Sequence, residues 1–474
     1  MAEQLTPDLC VIGAGSGGLS VAAAAAALGV PVVLIEKHKM GGDCLNTGCV
    51  PSKALIAAAK RAETIRSAAP FGVKARANIE FHEVSDHVQG VIAAIAPNDS
   101  KQRFTALGVR VIDGEACFRN PGTVVVGDKF EIKARRFVLA TGSSPSVPPI
   151  PGLDKTPYLT NETVFEGRAL PKHLIVVGAG PVGLELAQAF RRLGSEVTVL
   201  EAAAPLAKED PECAAVVVDR LGREGVVIRS GVQIARVRRV RTKIEVVLAG
   251  EQGEETIEGS DLLIATGRQP NLDGLGLDAA GIKHERSGIV VDKRLRTTNK
   301  RVYAIGDVAG ALQFTHVANY HAGLVIKHAL FRLPVKVNAS AIPRVTFTDP
   351  ELAHVGLTEV QARERYRTIR VLRWPYHEND RAQAERETTG HIKVITTKKG
   401  VILGATIVGA AAGELITTWT LAIDQGLNVR VFAGIVVPYP TFAEIGKRAA
   451  TTFFLPRLTS PWVQRILRFM RRFG

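Results

Sequence analysis

The sequence predicts an α/β protein containing two Rossmann-like dinucleotide-binding units. Two observations predict it. Val11-Ile12-Gly13-Ala14-Gly15-Ser16-Gly17-Gly18 recurs, at an offset of 165 residues, as Val176-Val177-Gly178-Ala179-Gly180-Pro181-Val182-Gly183. Each copy then runs through an Ala/Leu-rich stretch, a glycine (Gly29, Gly194) and an apolar run that ends in acid. That acid, Glu36 or Glu201, stands 23 residues after the first glycine of its copy.

Each element follows from its residues. Val11-Ile12 and Val176-Val177 end short apolar runs that read as buried strands. Leu19 to Ala27 is rich in the strongest helix former, and Gly29 and Pro31 break it. It is too short to span a bilayer as one helix and reads as a buried helix before a strand. Gly13 and Gly178 permit the tight turn, and Gly15 and Gly180 let backbone approach a pyrophosphate. Gly18 and Gly183 let helix and strand pack closely. The helix N-terminus offers its free N–H groups to the phosphates. Glu36 and Glu201 can accept hydrogen bonds from ribose hydroxyls and would repel a 2′-phosphate. Two such sites in one chain suggest a flavoprotein in which a nicotinamide passes hydride to a flavin. Ala202-Ala203-Ala204 follow Glu201 with no arginine, so NADH is expected over NADPH.

The composition excludes other classes. With 46% hydrophobic and 22% charged residues, the chain is not intrinsically disordered, and five cysteines are too few for a disulfide scaffold. Its 474 residues suggest about three domains. The net charge of +14 admits nucleic acid, anionic membrane or anionic cofactors as partners. The strand-like Arg236-Val237-Arg238-Arg239-Val240-Arg241 carries no interleaved aromatics, so it reads as a solvated sheet face and nucleic acid is not expected. Met1 to Leu9 lacks a basic n-region, so no signal peptide is expected. With few cysteines, this suggests a cytoplasmic setting.

Cys44 and Cys49 lie in Gly41-Gly42-Asp43-Cys44-Leu45-Asn46-Thr47-Gly48-Cys49-Val50-Pro51-Ser52-Lys53. Five steps of ideal helix rise ~7.5 Å, beyond the usual ~4.4–6.8 Å Cα separation of a disulfide. Asn46-Thr47-Gly48 are loop formers that can distort the turn. Pro51 fits the first turn of a following helix, whose N-terminus would lower the Cys49 pKa. From the residues alone, the pair could be buried thiols, metal ligands or a redox couple. No second Cys or His pair follows at zinc spacing, and no metal site is expected. Cys10, Cys117 and Cys213 read as packing residues.

This segment resembles the redox-disulfide signature of the class I pyridine nucleotide-disulfide oxidoreductases, and the resemblance covers nearly the whole chain. Ala140-Thr141-Gly142 and Ala265-Thr266-Gly267-Arg268-Gln269-Pro270-Asn271 resemble the two chain-crossing segments of that family. Val302 to Asp307 resembles its second flavin motif, and Val345 to Glu359 the start of its dimer-interface domain. The resemblance implies FAD, a nicotinamide, a homodimer and a C-terminal α+β dimerisation domain. It makes Cys44 the interchange thiol that meets the substrate and Cys49 the thiol against the flavin. Lys53 becomes the lysine near the flavin and Glu185 its carboxylate partner. Asp307 holds the ribityl chain, and Glu36 the adenosine ribose. Gly42, Thr141, Gly142, Gly267 and Arg268 fall in cofactor-binding segments.

The C-terminal part distinguishes branches. Dihydrolipoamide dehydrogenase and glutathione reductase carry His-Pro-x-x-x-Glu, in which the His takes protons from thiols. Here Tyr439 precedes Pro440-Thr441-Phe442-Ala443-Glu444. A tyrosine, with an ordinary pKa of ~10, is a poor general base at pH 7. Mercuric reductase has a Pro-Tyr pair at this place but also a C-terminal cysteine pair, whereas the last cysteine here is Cys213. A packed interface tyrosine is the alternative reading of Tyr439. The expected acceptor is a disulfide, a soft metal ion such as Hg(II), or a quinone-like compound. Dihydrolipoamide dehydrogenase is the alternative activity, and a non-catalytic flavoprotein partner the alternative of another class.

The expected layout is a flavin domain of 1–150 and 271–340, a nicotinamide domain of 151–270, an interface domain of 341–455 and a tail of 456–474. Asn379-Asp380-Arg381-Ala382 resembles a surface segment near the substrate entrance of that family, and reads from its residues as a solvated charged loop. In the tail, Val463, Ile466, Leu467, Met470 and Phe473 recur at helical spacing among arginines, with no acid. That is a basic amphipathic helix. It is expected either to dock on the protein itself or to make weak contact, through 457–474, with a partner or the inner membrane surface.

Overall fold

The computed structural model describes residues 2–250, 253–310, 312–458 and 460–473. The chain divides into two units. One takes residues up to 178, with 189–200 and 232–337; the other takes 179–188, 201–231 and 338 onward.

In the first unit, strand β1 (Leu9–Ile12) is buried on both faces and leads into helix α1 (Ser16–Ala27) and strand β2 (Val32–Glu36). The Ala-rich run is therefore a buried helix. It ends at Leu28 and at Gly29, whose φ of +69° lies in the left-handed region. A short helix α2 (Gly42–Asn46) and a long one, α3 (Cys49–Arg66), follow, then strands β3 (Arg110–Asp113) and β4 (Arg136–Leu139). The repeat is built from strand β5 (His173–Val177), helix α4 (Pro181–Leu193), strand β6 (Glu196–Glu201) and strand β7 (Asp261–Ile264). Strand β8 (Val302–Ala304) and helix α5 (Thr315–Phe331) complete the frame. The strands β8–β4–β1–β2–β3 form one parallel sheet in that order. In the repeat, β5 lies between β6 and β7, also parallel. A parallel sheet needs crossover connections and buries both faces, which is why these runs are continuously apolar rather than alternating.

The strand Gln233–Val240 buries Val237, while Arg236 pairs with Glu254 and Arg238 with Glu245. Two of its three arginines are thus paired with acids of its own sheet.

The second unit carries an antiparallel sheet. Its strands are β9 (Arg344–Thr346), β10 (Glu351–Gly356), β11 (Ile369–Pro375), β12 (His391–Thr397) and β13 (Ile402–Gly409), ordered β9–β10–β13–β12–β11. Helix α6 (Asp380–Glu385) joins β11 to β12. Helices α7 (Ala412–Asp424) and α8 (Glu444–Thr452) pack on the sheet, with Trp419 stacked on Phe432 in the core.

Two expectations need correcting here. Asn379 to Ala382 is a helix start rather than a loop, with the charged pair Asp380 and Arg381 exposed. Asn379 is buried and caps α6 by accepting the Ala382 N–H at 2.9 Å, and Ala382 is buried as well. Cap and turn use the same side-chain chemistry, so the four residues alone do not separate them. The tail is a helix, α9 (Pro461–Met470), but it buries none of its residues, so docking through its apolar face is not what is observed. Among the described residues no helix is long and apolar enough to cross a membrane.

Candidate active site

The dithiol sits where a helix is interrupted. α2 ends at Thr47 and Gly48, both non-helical, and α3 restarts at Cys49. Asn46 Nδ2 donates back to Gly42 O at 2.8 Å and Thr47 Oγ1 to Asp43 Oδ1 at 2.8 Å. The loop formers therefore distort the turn, as their chemistry suggests. Cys44 and Cys49 are both free thiols, and they hydrogen-bond to each other. Cys49 is the first residue of α3 and Lys53 lies one turn on. Cys49 Sγ also lies 3.6 Å from the hydroxyl of Thr315, the first residue of α5.

The two thiols differ. The hydrogen bond from Cys44 pulls the Cys49 pKa down to about 6. The Thr315 hydroxyl and the Lys53 charge act in the same direction, against burial. Cys44 is pushed up by the same hydrogen bond, by burial and by the neighbouring charge. In the reduced pair the thiolate thus rests on Cys49 and the proton on Cys44. Thr315→Val should raise the Cys49 pKa by about one unit, the worth of one hydrogen bond to a charged group. The pH dependence of alkylation of the reduced enzyme reads this, and an unshifted curve would contradict it.

The glycine turns fit dinucleotides. Gly13 has φ +102°, and a Cβ there would lie 2.4 Å from Ala140 O; Gly178, at φ +108°, would meet Ala265 O at 2.5 Å. Both turns thus press on the Ala-Thr-Gly segments named from the sequence. A Cβ on Gly18 would lie 1.8 Å from Gly13 O, and one on Gly42 would lie 2.7 Å from the Gly15 Cα. By contrast, a Cβ on Gly180 meets nothing within 4 Å, and one on Gly15 meets only Gly42, at 4.0 Å. Backbone is thus open to a pyrophosphate at the two positions where the motif requires it. No side chain caps α1, which leaves its first N–H groups for an anion.

The acids repeat the same geometry. Glu36 accepts from Ala14 N at 2.6 Å and His38 N at 2.8 Å. Glu201 accepts from Ala179 N at 2.7 Å and Ala203 N at 2.9 Å. Each carboxylate is locked at the strand end with acceptor capacity left for a ribose.

The two crossing segments pair with each other, Ser143 to Pro145 against Arg268 to Pro270. This sets Thr141 and Gly142 beside Asn271 at one end of the pair, and Gly267 beside Ser146 at the other. Thr141 Oγ1 donates to Asn271 O, and Asn271 Nδ2 to Thr141 O, each at 2.9 Å. Arg268 donates to Ser143 Oγ at 2.8 Å and lies 3.5 Å from Asp43. Ser143 in turn donates to Asp307 Oδ2 at 2.6 Å. Burial raises the Asp307 pKa, against the pull of Ser143 and Arg268.

In the second unit, Glu185 is buried and accepts the Phe347 N–H at 2.8 Å. Tyr439 is 68% exposed and donates its hydroxyl to Asp380 Oδ2 at 2.8 Å, which raises its pKa. Within the single chain it thus presents an exposed hydroxyl on a carboxylate. Glu444 opens α8, and Asn379 Nδ2 holds Thr441 O at 3.0 Å. Sequence reasoning missed Thr315, Ser143 and Asp380 as members of these clusters. Only Asp380 stood in a segment that had drawn notice.

Comparison with known proteins agrees with this geometry. Residues 7–322 match the pyridine nucleotide-disulphide oxidoreductase family, and 342–450 match its dimerisation domain. The chain is 38% identical to a mercuric reductase of Streptomyces lividans, over 94% of this chain and 96% of that one. It is 36% identical to a dihydrolipoyl dehydrogenase of Thermus scotoductus, over 93% and 95%. A solved Cu(II) complex of the HOCl-induced flavoprotein disulfide reductase RclA from Escherichia coli superposes with a TM-score of 0.85 at 30% identity. It covers 94% of this chain and 99% of that one. The chain belongs to the pyridine nucleotide-disulphide oxidoreductase family and is an FAD-dependent enzyme of it.

Proposed function

We propose that this enzyme carries electrons from NADH to the Cys44–Cys49 pair and from there to a soft metal ion such as Hg(II), as a homodimer. Bound FAD would supply the relay of an electron pair between nicotinamide and disulfide. Gly13, Gly15, Gly18, Glu36, Gly42 and Asp307 would hold it, and the Gly178–Gly183 turn and Glu201 would hold the nicotinamide dinucleotide. Lys53, with its charge one turn from Cys49, steadies the thiolate. Cys44 keeps the proton and is the thiol that meets the acceptor. The homodimer reading rests on the dimerisation domain and on Val436, an apolar residue 95% exposed close to Tyr439 in sequence.

The observation that carries the choice of acceptor is the Tyr439 hydroxyl bound to Asp380. Thiol substrates need a base at this place, and a tyrosine whose pKa is raised further cannot take a proton at pH 7. A soft ion binds thiolates and asks for no such base. NADH oxidation by the purified enzyme with Hg(II), Cu(II), glutathione disulfide and quinones tests the reading, with dihydrolipoamide assayed in the reverse direction. Turnover should be fastest with Hg(II), and Tyr439→His should raise dihydrolipoamide turnover about ten-fold or more. Near-normal dihydrolipoamide turnover in the unaltered enzyme would overturn it.

Glu201 carries the cofactor preference. Its charge is held at the strand end by two backbone N–H groups, and a 2′-phosphate brought there would be repelled. The expected kcat/KM is higher with NADH than with NADPH, by about ten-fold or more. Equal values would contradict this.

A further inference from the structure

The helix α9 carries none of the residues assigned above to the redox chemistry, and its side chains are sorted by character. Residues 445–474 contain no acid, and five arginines fall within 457–474. At the ~100° per residue of an α-helix, Trp462, Ile466, Leu467, Phe469 and Met470 share an arc of about 160°, and Phe473 follows just past the helix end. Arg465 and Arg468 occupy the opposite side, and Arg471 and Arg472 follow at the C-terminal end. The six apolar residues are all exposed, from 39% at Ile466 to 72% at Phe473. The helix starts on local signals, with Pro461 in its first turn and the Ser460 hydroxyl accepting the Val463 N–H. Ten residues of helix are marginal alone in water, so an apolar face this wide calls for a surface.

That surface must be apolar beneath and anionic at its rim. A second copy of this chain, at a net charge of +14, offers the arginines no evident anionic rim. An anionic bilayer fits both demands. Its acyl boundary takes the apolar face, its interface suits Trp462, and its phosphates take the arginines. We propose that α9 seats the enzyme on anionic phospholipid.

The test uses the full-length, FAD-loaded enzyme with vesicles of phosphatidylcholine alone or mixed with phosphatidylglycerol. Co-sedimentation is expected with the mixed vesicles only. It should fall about ten-fold or more near 1 M salt, where the screening length is ~3 Å. Trp462 emission should shift to the blue, readable because Trp419 is buried and Trp374 half-buried. Ile466→Glu with Leu467→Glu should abolish binding and leave NADH oxidation unchanged. Equal binding to neutral vesicles, or binding undiminished in that variant, would overturn the proposal. So would a change of oligomeric state on removing 461–474, which would assign the face to another copy.

Discussion

Replacing Cys44 by serine is expected to lower NADH-driven reduction of Hg(II) by about 10³-fold or more, the usual scale for loss of a reacting nucleophile. Reduction of bound FAD by NADH should survive. The geometry explains the split. Serine can still donate a hydrogen bond to Cys49, so the low Cys49 pKa and the meeting of α3 and α5 are retained. What is lost is the sulfur that forms one end of the disulfide and receives the acceptor. Steady-state turnover without oxygen, beside the rate of flavin bleaching, separates the two effects. Turnover within about ten-fold of the unaltered enzyme would place the acceptor at the flavin and make the dithiol a bystander.

The second large effect is on stability. Lys393 has a side chain only 5% exposed, and its Nζ lies 2.8 Å from Asp210, 2.9 Å from Glu359 and 3.1 Å from Glu212. Asp210 is itself buried and caps the helix Pro211–Arg223. Lys393→Met leaves that carboxylate without its counter-charge. Breaking a buried pair from one side costs about 3–5 kcal/mol. The pH dependence follows from Glu212, which Arg373 first and Lys393 next hold down at about 2. A depressed carboxyl contributes stability that is complete above its ordinary value and is lost as pH falls towards 2. The unaltered unit should therefore weaken between about pH 4.5 and 2, and the variant should unfold at a higher pH. Fluorescence of Trp374 and Trp419, both in this unit, follows the transition. Equal stability of variant and unaltered enzyme at pH 7 would contradict the account.

What the sequence made legible is what is local in the chain. A pyrophosphate site needs a strand, three glycines and a helix start within about twenty residues, so both copies could be read directly. The dithiol was legible for the same reason, from Gly41 to Lys53. The partners that tune these sites were not. Thr315 lies 266 residues from Cys49, and Lys393 lies 183 residues from Asp210. No spacing rule joins such pairs; only the fold does. Tyr439 shows the middle case. Its substitution for histidine was visible at once, but Asp380, which fixes its hydroxyl, stood in a segment read as solvent-exposed.

The most direct test of the electron path counts thiols. The oxidised, FAD-loaded enzyme is alkylated under denaturing conditions before and after anaerobic NADH, and the labelled peptides are weighed. Two additional labels are expected after NADH, one on Cys44 and one on Cys49, with Cys10, Cys117 and Cys213 labelled equally in both samples. If the flavin is bleached and neither Cys44 nor Cys49 gains a label, electrons do not pass through the pair, and the central claim fails.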